Sequence, residues 1–155
     1  MKVIHWLSAG ALLASVGAAP AVAQETLVAP GPRGDLAGTL VAPAEGQPLV
    51  LIIPGSGPTD RDGNSPLGVT AAPYRLLADA LAERGIGTLR IDKRGMFASK
   101  AAVADANAVT IADYVTDTAS WVGAARTATG AECLWLLGHS EGGIVALAAA
   151  QEVPD

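Results

Sequence analysis

Apolar residues are grouped along the chain in short blocks that predict strands. Residues 49–53, 86–91 and 133–137 are nearly continuous apolar runs, as expected of strands that are buried on both faces of a sheet. A weaker β-compatible segment, residues 36–42, ends at Pro43. We therefore expect at least four strands in this chain.

Between and after these runs, apolar residues recur with the period of a helix. Residues 73–84 repeat apolar positions at i, i+3, i+4 and i+7, and residues 110–127 show a similar face. Thr110 and Asp113 have the spacing of a capping box at the start of that second helix. Residues 144–150 are apolar, rich in alanine and predicted to be helical. The alternation of strands and helices predicts an α/β fold with a mainly parallel sheet and helices on both faces.

The first 23 residues have the pattern of a secretory signal peptide. Lys2 supplies the positive charge, the next residues are mostly apolar and small, and Ala21-Val22-Ala23 is a cleavage site that predicts a cut before Gln24. An uncleaved membrane anchor is the alternative, but the segment contains little leucine or isoleucine. We expect a secreted or periplasmic protein with a partial domain over residues 24–155 and no stable membrane insertion.

Composition narrows the classes of partner. The chain carries 10 Lys+Arg against 15 Asp+Glu, for a net charge of −5, and no run of like charge, which argues against nucleic acid and anionic membrane surfaces. Half of the residues are hydrophobic, so the chain can bury a core.

The one cysteine, Cys133, cannot form an intrachain disulfide, and we expect it to be buried in the strand at residues 133–137.

Gly138-His139-Ser140-Glu141-Gly142 matches the pattern G-x-S-x-G. The pattern is weak by itself in a chain with 18 glycines, and a glycine-rich turn with an incidental serine is the alternative. Here it follows an apolar strand and leads into a predicted helix, which is the setting of a nucleophile elbow. We predict Ser140 as the nucleophile and the Glu141 backbone N–H as one donor to the oxyanion. His139 is not expected to be the catalytic base, because its side chain should leave the turn in another direction.

Two further loops follow the first buried strand. Residues 54–57 are placed to supply a second oxyanion donor, for which the Ser56 backbone N–H is the best candidate, although a plain tight turn remains the alternative. Residues 60–64 resemble a calcium-binding loop, but Ser65 and Ala71 occupy the positions where that motif needs glycine and glutamate. We expect no metal ion and no organic cofactor, and interpret residues 60–64 as either a solvated turn or a wall of a substrate cleft.

Three runs together resemble a known group of enzymes. LIIPGSGPTDRDGN at residues 51–64, RIDKRG at 90–95 and LLGHSEGG at 136–143 are similar to α/β-hydrolases of the serine aminopeptidase-like and dienelactone-hydrolase-like group. The resemblance extends from about residue 36 to the end of the chain. It implies a serine hydrolase that acts on an ester, thioester or peptide bond through an acyl-enzyme, with Ser140 as nucleophile and the N–H groups of Glu141 and Ser56 as oxyanion hole.

The sequence departs from this group after the proposed nucleophile. In this fold the catalytic acid and histidine follow the serine along the chain, yet no histidine follows Ser140. We therefore expect the N-terminal half of a larger hydrolase fold, truncated after the nucleophile helix and with little activity of its own. The strand at residues 133–137 would then have an open apolar edge, which favours self-association.

Two other functions remain open at this point. A non-catalytic relative could bind a ligand or partner through its cleft, and acyl transfer differs from hydrolysis only in the acceptor. The expected substrate is a small-molecule or peptide acyl compound.

Overall fold

Five strands form one sheet in the computed structural model, which describes residues 23–153. The order across the sheet is β1-β2-β4-β3-β5, with the strands defined as β1 (Glu25–Ala29), β2 (Leu36–Val41), β3 (Leu49–Ile53), β4 (Gly87–Ile91) and β5 (Leu134–Gly138). β3 pairs in parallel with both β4 and β5, whereas β2 is antiparallel to both of its neighbours. The predicted α/β class with a mainly parallel sheet is confirmed.

Helices cover both faces of this sheet. They are α1 (Pro73–Ala82), α2 (Ile111–Thr129) and α3 (Glu141–Glu152), and two short 3₁₀ segments, Phe97–Ala102 and Ala106–Ala108, connect β4 to α2. Alternate side chains of β3 point to opposite faces, as the pleat requires. On one face its buried side chains pack with residues of α2 and α3, and on the other they pack with Tyr74 of α1.

The beginning of α2 agrees with the capping box predicted from Thr110 and Asp113. The Thr110 hydroxyl accepts a hydrogen bond from the Asp113 backbone N–H at 3.3 Å, and the Asp113 carboxylate accepts from the Thr110 backbone N–H at 2.8 Å. The carboxylate also accepts from the Thr110 hydroxyl at 2.8 Å, and the bonds that it accepts from the Thr110 backbone N–H and hydroxyl are the largest influences that hold the pKa of Asp113 below its ordinary value. The capping box therefore fixes where α2 starts after the irregular segment that follows β4.

The predicted burial of the third apolar run is wrong. β5 begins at Leu134 and lies at the edge of the sheet, so its residues are only partly buried, and Trp135 is 57% exposed. Cys133, predicted to be buried, is exposed just before the strand. A continuous apolar run looks the same in sequence whether one edge of its strand is covered or open, and this accounts for the error.

β1 at the opposite edge was not predicted. Its first two residues, Glu25 and Thr26, are polar and exposed, so the apolar part of the strand is too short to stand out. The predicted signal peptide lies outside the described residues, apart from Ala23. Among residues 23–153, no helix is long and apolar enough to cross a membrane.

A buried ion pair links the turn after β4 to α2. The Arg94 guanidinium donates to both carboxylate oxygens of Asp117, at 2.6 and 2.5 Å, and both side chains are less than a tenth exposed. Burial is the largest influence on Asp117 and raises its pKa, while the hydrogen bonds from Arg94 oppose that rise. Removing one partner would leave the other charge buried and uncompensated.

We expect Arg94→Met to lower the free energy of unfolding by about 3 kcal/mol, because Asp117 would lose its counter-charge. Arg75→Met is the matched control, since Arg75 is paired with Asp79 on the exposed surface of α1, and its loss should stay below about 0.5 kcal/mol. Urea unfolding followed by circular dichroism measures both values. Equal losses in the two variants would show that the Arg94–Asp117 pair does not hold α2 to the sheet.

Candidate active site

The turn between β5 and α3 holds Ser140 in a strained conformation. Ser140 has φ 53° and ψ −119°, a region that residues with a side chain rarely adopt. Gly138 is the last residue of β5 and Glu141 is the first of α3, so the strand turns into the helix within two residues. The structure thus has the strand, sharp turn and helix that the sequence predicted, with Ser140 exposed at the helix N-terminus.

The two glycines of the motif are required by close backbone contacts. A Cβ atom on Gly138 would collide with the carbonyl of Gly142, and one on Gly142 would collide with the carbonyl of Ile53 at the end of β3. At Gly143 the nearest atom to an added Cβ would be 3.6 Å away, which is an ordinary contact. The first turn of α3 therefore packs backbone against backbone on β3, and only Gly142 of the two adjacent glycines is sterically required.

These neighbouring glycines give a matched pair of substitutions. We expect Gly142→Ala to lower the free energy of unfolding by about 2 kcal/mol, because α3 must move away from β3. Gly143→Ala should raise it by about 0.5–1 kcal/mol, because alanine is the better residue inside a helix. Chemical unfolding of both variants and the wild type measures the difference. Two changes of the same sign would contradict the backbone contact with Ile53.

The loop after β3 lies beside Ser140. A Cβ atom on Gly55 would be 3.3 Å from the Cβ of Ser140 and 3.1 Å from Nδ1 of His139. The Gly55–Ser56 peptide is therefore adjacent to the predicted nucleophile. Within the part of the chain that the structure describes, neither the Ser56 N–H nor the Glu141 N–H donates to a protein acceptor, so both are available to a ligand.

Tyr74 and His139 form a second contact with this loop. The Tyr74 hydroxyl lies 2.8 Å from Nδ1 of His139 and accepts a hydrogen bond from the Gly55 N–H at 3.4 Å. Burial is the main cause that raises the pKa of Tyr74 above its ordinary value. His139 is thus held by α1 through Nδ1, and the expectation that it is not the base stays a prediction. Tyr74 was predicted only as an apolar position of a helix.

Lys93 lies under the same loops and was not singled out by its sequence context. Its side chain is 4% exposed, and Nζ donates to the Gly55 carbonyl at 2.7 Å and to the Glu141 carboxylate at 3.0 Å. The ammonium group also lies 5.2 Å from the centre of the Tyr114 ring. One buried cation therefore contacts both of the loops that carry the predicted oxyanion donors.

The loop at residues 60–64 is anchored to the carboxyl end of β4. The Arg61 guanidinium donates to Asp92 at 2.6 Å, the Arg61 N–H donates to the same carboxylate at 2.9 Å, and Asp62 is paired with the buried Arg90. These bonds exclude the interpretation as a freely solvated turn. Among residues 23–153, no three side chains of the metal-ligating types come together.

The central parallel strands and the strained serine turn after β5 define an α/β-hydrolase fold, and solved structures show the same architecture. A putative hydrolase from Agrobacterium vitis has a TM-score of 0.60 at 21% identity, and a dienelactone hydrolase from Anabaena variabilis has 0.59 at 23%. An α/β serine hydrolase without a lid from Xanthomonas campestris has 0.57 at 27% identity. The matches cover 84–85% of this chain but 46%, 57% and 56% of those chains, so it spans about half their length.

The sequence also assigns the chain to a family within this fold. The sequence pattern of the family described as serine aminopeptidase, S33, matches residues 67–155, which is more than half of the chain. This chain belongs to that family. Curated protein sequences include no significant match to it. The expected resemblance to serine aminopeptidase-like and dienelactone-hydrolase-like α/β-hydrolases is confirmed.

Proposed function

We propose that the protein is a serine hydrolase that cleaves an ester, thioester or peptide bond through Ser140. The main support for this proposal is the strained conformation of Ser140 at the N-terminus of α3, beside the available backbone N–H groups of Ser56 and Glu141. The Xanthomonas protein, at 27% identity, is described as a serine hydrolase, which supports the same chemistry. The family and the fold support hydrolysis, and the use of Ser140 is our inference from the geometry of the turn.

The reaction follows from these groups. Ser140 Oγ forms a bond to the substrate carbonyl carbon while a base accepts the hydroxyl proton, and the carbonyl oxygen becomes an oxyanion. The N–H groups of Ser56 and Glu141 donate to that oxyanion, aided by the positive end of α3. The intermediate then expels the alcohol, thiol or amine, which takes the proton from the base, and leaves an acyl-enzyme. Water releases the acid by the same steps.

No histidine follows Ser140 among these 155 residues, although the histidine base follows the nucleophile in this fold. The two histidines of the chain are His5, outside the described residues, and His139, which is adjacent to Ser140 and whose Nδ1 lies 2.8 Å from the Tyr74 hydroxyl. We therefore propose that the histidine and its acid come from residues outside these 155, and that the chain alone turns over little substrate. The same observation favours a second candidate, a non-catalytic relative that binds an acyl ligand at this turn.

A fluorophosphonate probe with added imidazole separates the two candidates. The probe forms an Oγ–P bond with an activated serine and releases fluoride, and imidazole in solution can take the proton that the missing histidine would accept. We expect slow labelling of the wild type at Ser140 that imidazole accelerates by about tenfold or more. Ser140→Ala should abolish the label, and Ser120→Ala, on α2, should keep the wild-type rate. Peptide mapping by mass spectrometry locates the adduct.

Other outcomes would change the proposal in defined ways. Fast labelling of Ser140 without imidazole would mean that the chain has a base of its own. Labelling at other serines, or none above the rate of the unfolded chain, would reject Ser140 as the nucleophile and favour the non-catalytic candidate.

A further inference from the structure

Lys93 links three loops at the carboxyl ends of the parallel strands, because it lies in one of them and contacts the other two. It lies two residues beyond the end of β4, and its Nζ reaches the Gly55 carbonyl after β3 and the Glu141 carboxylate after β5, at 2.7 and 3.0 Å. The side chain is 4% exposed, so these bonds form in a region from which most water is excluded. A buried ammonium group satisfied in this way holds the three loops in one arrangement.

The bond to Gly55 also determines the direction of the Ser56 N–H. The Gly55 carbonyl and the Ser56 N–H belong to the same peptide group, which is planar and trans, so the two bonds point in opposite directions. When Lys93 holds the oxygen on the inner side of the loop, the N–H faces the other way. Ser56 is exposed, and Gly55 lies against Ser140.

The Gly55–Ser56 peptide needs the bond from Lys93 because it follows a glycine. Without a Cβ, glycine rotates through more backbone conformations than any other residue, and a peptide that follows it can turn over at little cost. Its N–H is held by the Tyr74 hydroxyl at 3.4 Å, a long bond, whereas its carbonyl is held by the charged Lys93 at 2.7 Å. The stronger of the two bonds therefore acts on the peptide that carries the Ser56 N–H.

We propose that Lys93 is a positioning residue of the oxyanion hole, which orients the Ser56 N–H through the Gly55 carbonyl. This inference rests on the proposed function, because it assigns Lys93 a role in the attack by Ser140. The ammonium group also polarises the peptide and makes its N–H a stronger donor. The Glu141 carboxylate balances the buried charge, and through this ion pair the residue that bears the other donor is tied to the same lysine.

The test measures how fast fluorophosphonate labels the 155-residue chain in the presence of imidazole, as the probe concentration is varied. It gives two values, the maximal rate of phosphonylation and the probe concentration at which half of that rate is reached. Lys93→Met keeps the length of the side chain but removes its charge and its donors. We expect the maximal rate to fall by about 10- to 100-fold, because one oxyanion donor is misdirected, while the half-saturating concentration stays within about twofold. Lys100→Met, the same substitution at an exposed lysine seven residues further on, should keep the wild-type rate.

The labelling results distinguish a failure of the role proposed for Lys93 from a failure of the proposed serine hydrolase function. If the wild type is not labelled at Ser140, the proposed function fails and the role of Lys93 fails with it. If the wild type is labelled and a folded Lys93→Met variant reacts at the same maximal rate, only the role of Lys93 is overturned.

If Lys93→Met does not fold, the role of Lys93 is tested on the wild-type chain. NMR of the wild-type chain should show contacts between the Lys93 ε protons and the Gly55 α protons, and the Ser56 amide proton should move downfield when Ser140 is phosphonylated. Absence of either signal would overturn the proposal.

Discussion

The contact between the first turn of α3 and the end of β3 is the constraint on which the site depends. Gly142 lies so close to the Ile53 carbonyl that no larger residue fits, and this closeness makes the turn after β5 sharp enough to strain Ser140. Ile53 is also the last residue of β3, so the loop that carries Ser56 starts from the same point. One backbone contact thus brings together the proposed nucleophile and both proposed oxyanion donors, at a cost in backbone strain that the packing of the sheet must offset.

The charged run after β4 has a structural explanation in the same region. Asp92 binds Arg61 in the loop beyond β3, Lys93 binds the Gly55 carbonyl and Glu141, and Arg94 binds Asp117 of α2. Three consecutive side chains after a buried strand therefore reach three different parts of the fold. Each charge is paired where it is buried, as the cost of desolvation requires. Pre-organisation of this kind keeps backbone N–H groups fixed in the absence of substrate, which is the condition for stabilising an oxyanion.

The features that could be predicted from sequence are those with a local signal. β3, β4, the capping box of α2 and the strand–turn–helix around Ser140 all follow from residues within a few positions of one another. Features that depend on distant residues could not be predicted. Tyr74 meets His139 across 65 positions and Lys93 meets Glu141 across 48, and neither pairing has a sequence pattern. The exposure of Cys133 depends on which strand lies at the edge of the sheet, which an apolar run does not specify.

If the β5–α3 turn and the β3 loop form one oxyanion site around Ser140, an oxyanion bound there must contact both segments. A crystal structure of the chain phosphonylated at Ser140 tests it most directly, because the phosphonyl oxygen occupies the position of the oxyanion. We expect this oxygen to lie about 2.7–3.1 Å from the backbone nitrogens of both Ser56 and Glu141. A phosphonyl oxygen that points into solvent, or that contacts neither nitrogen, would contradict it.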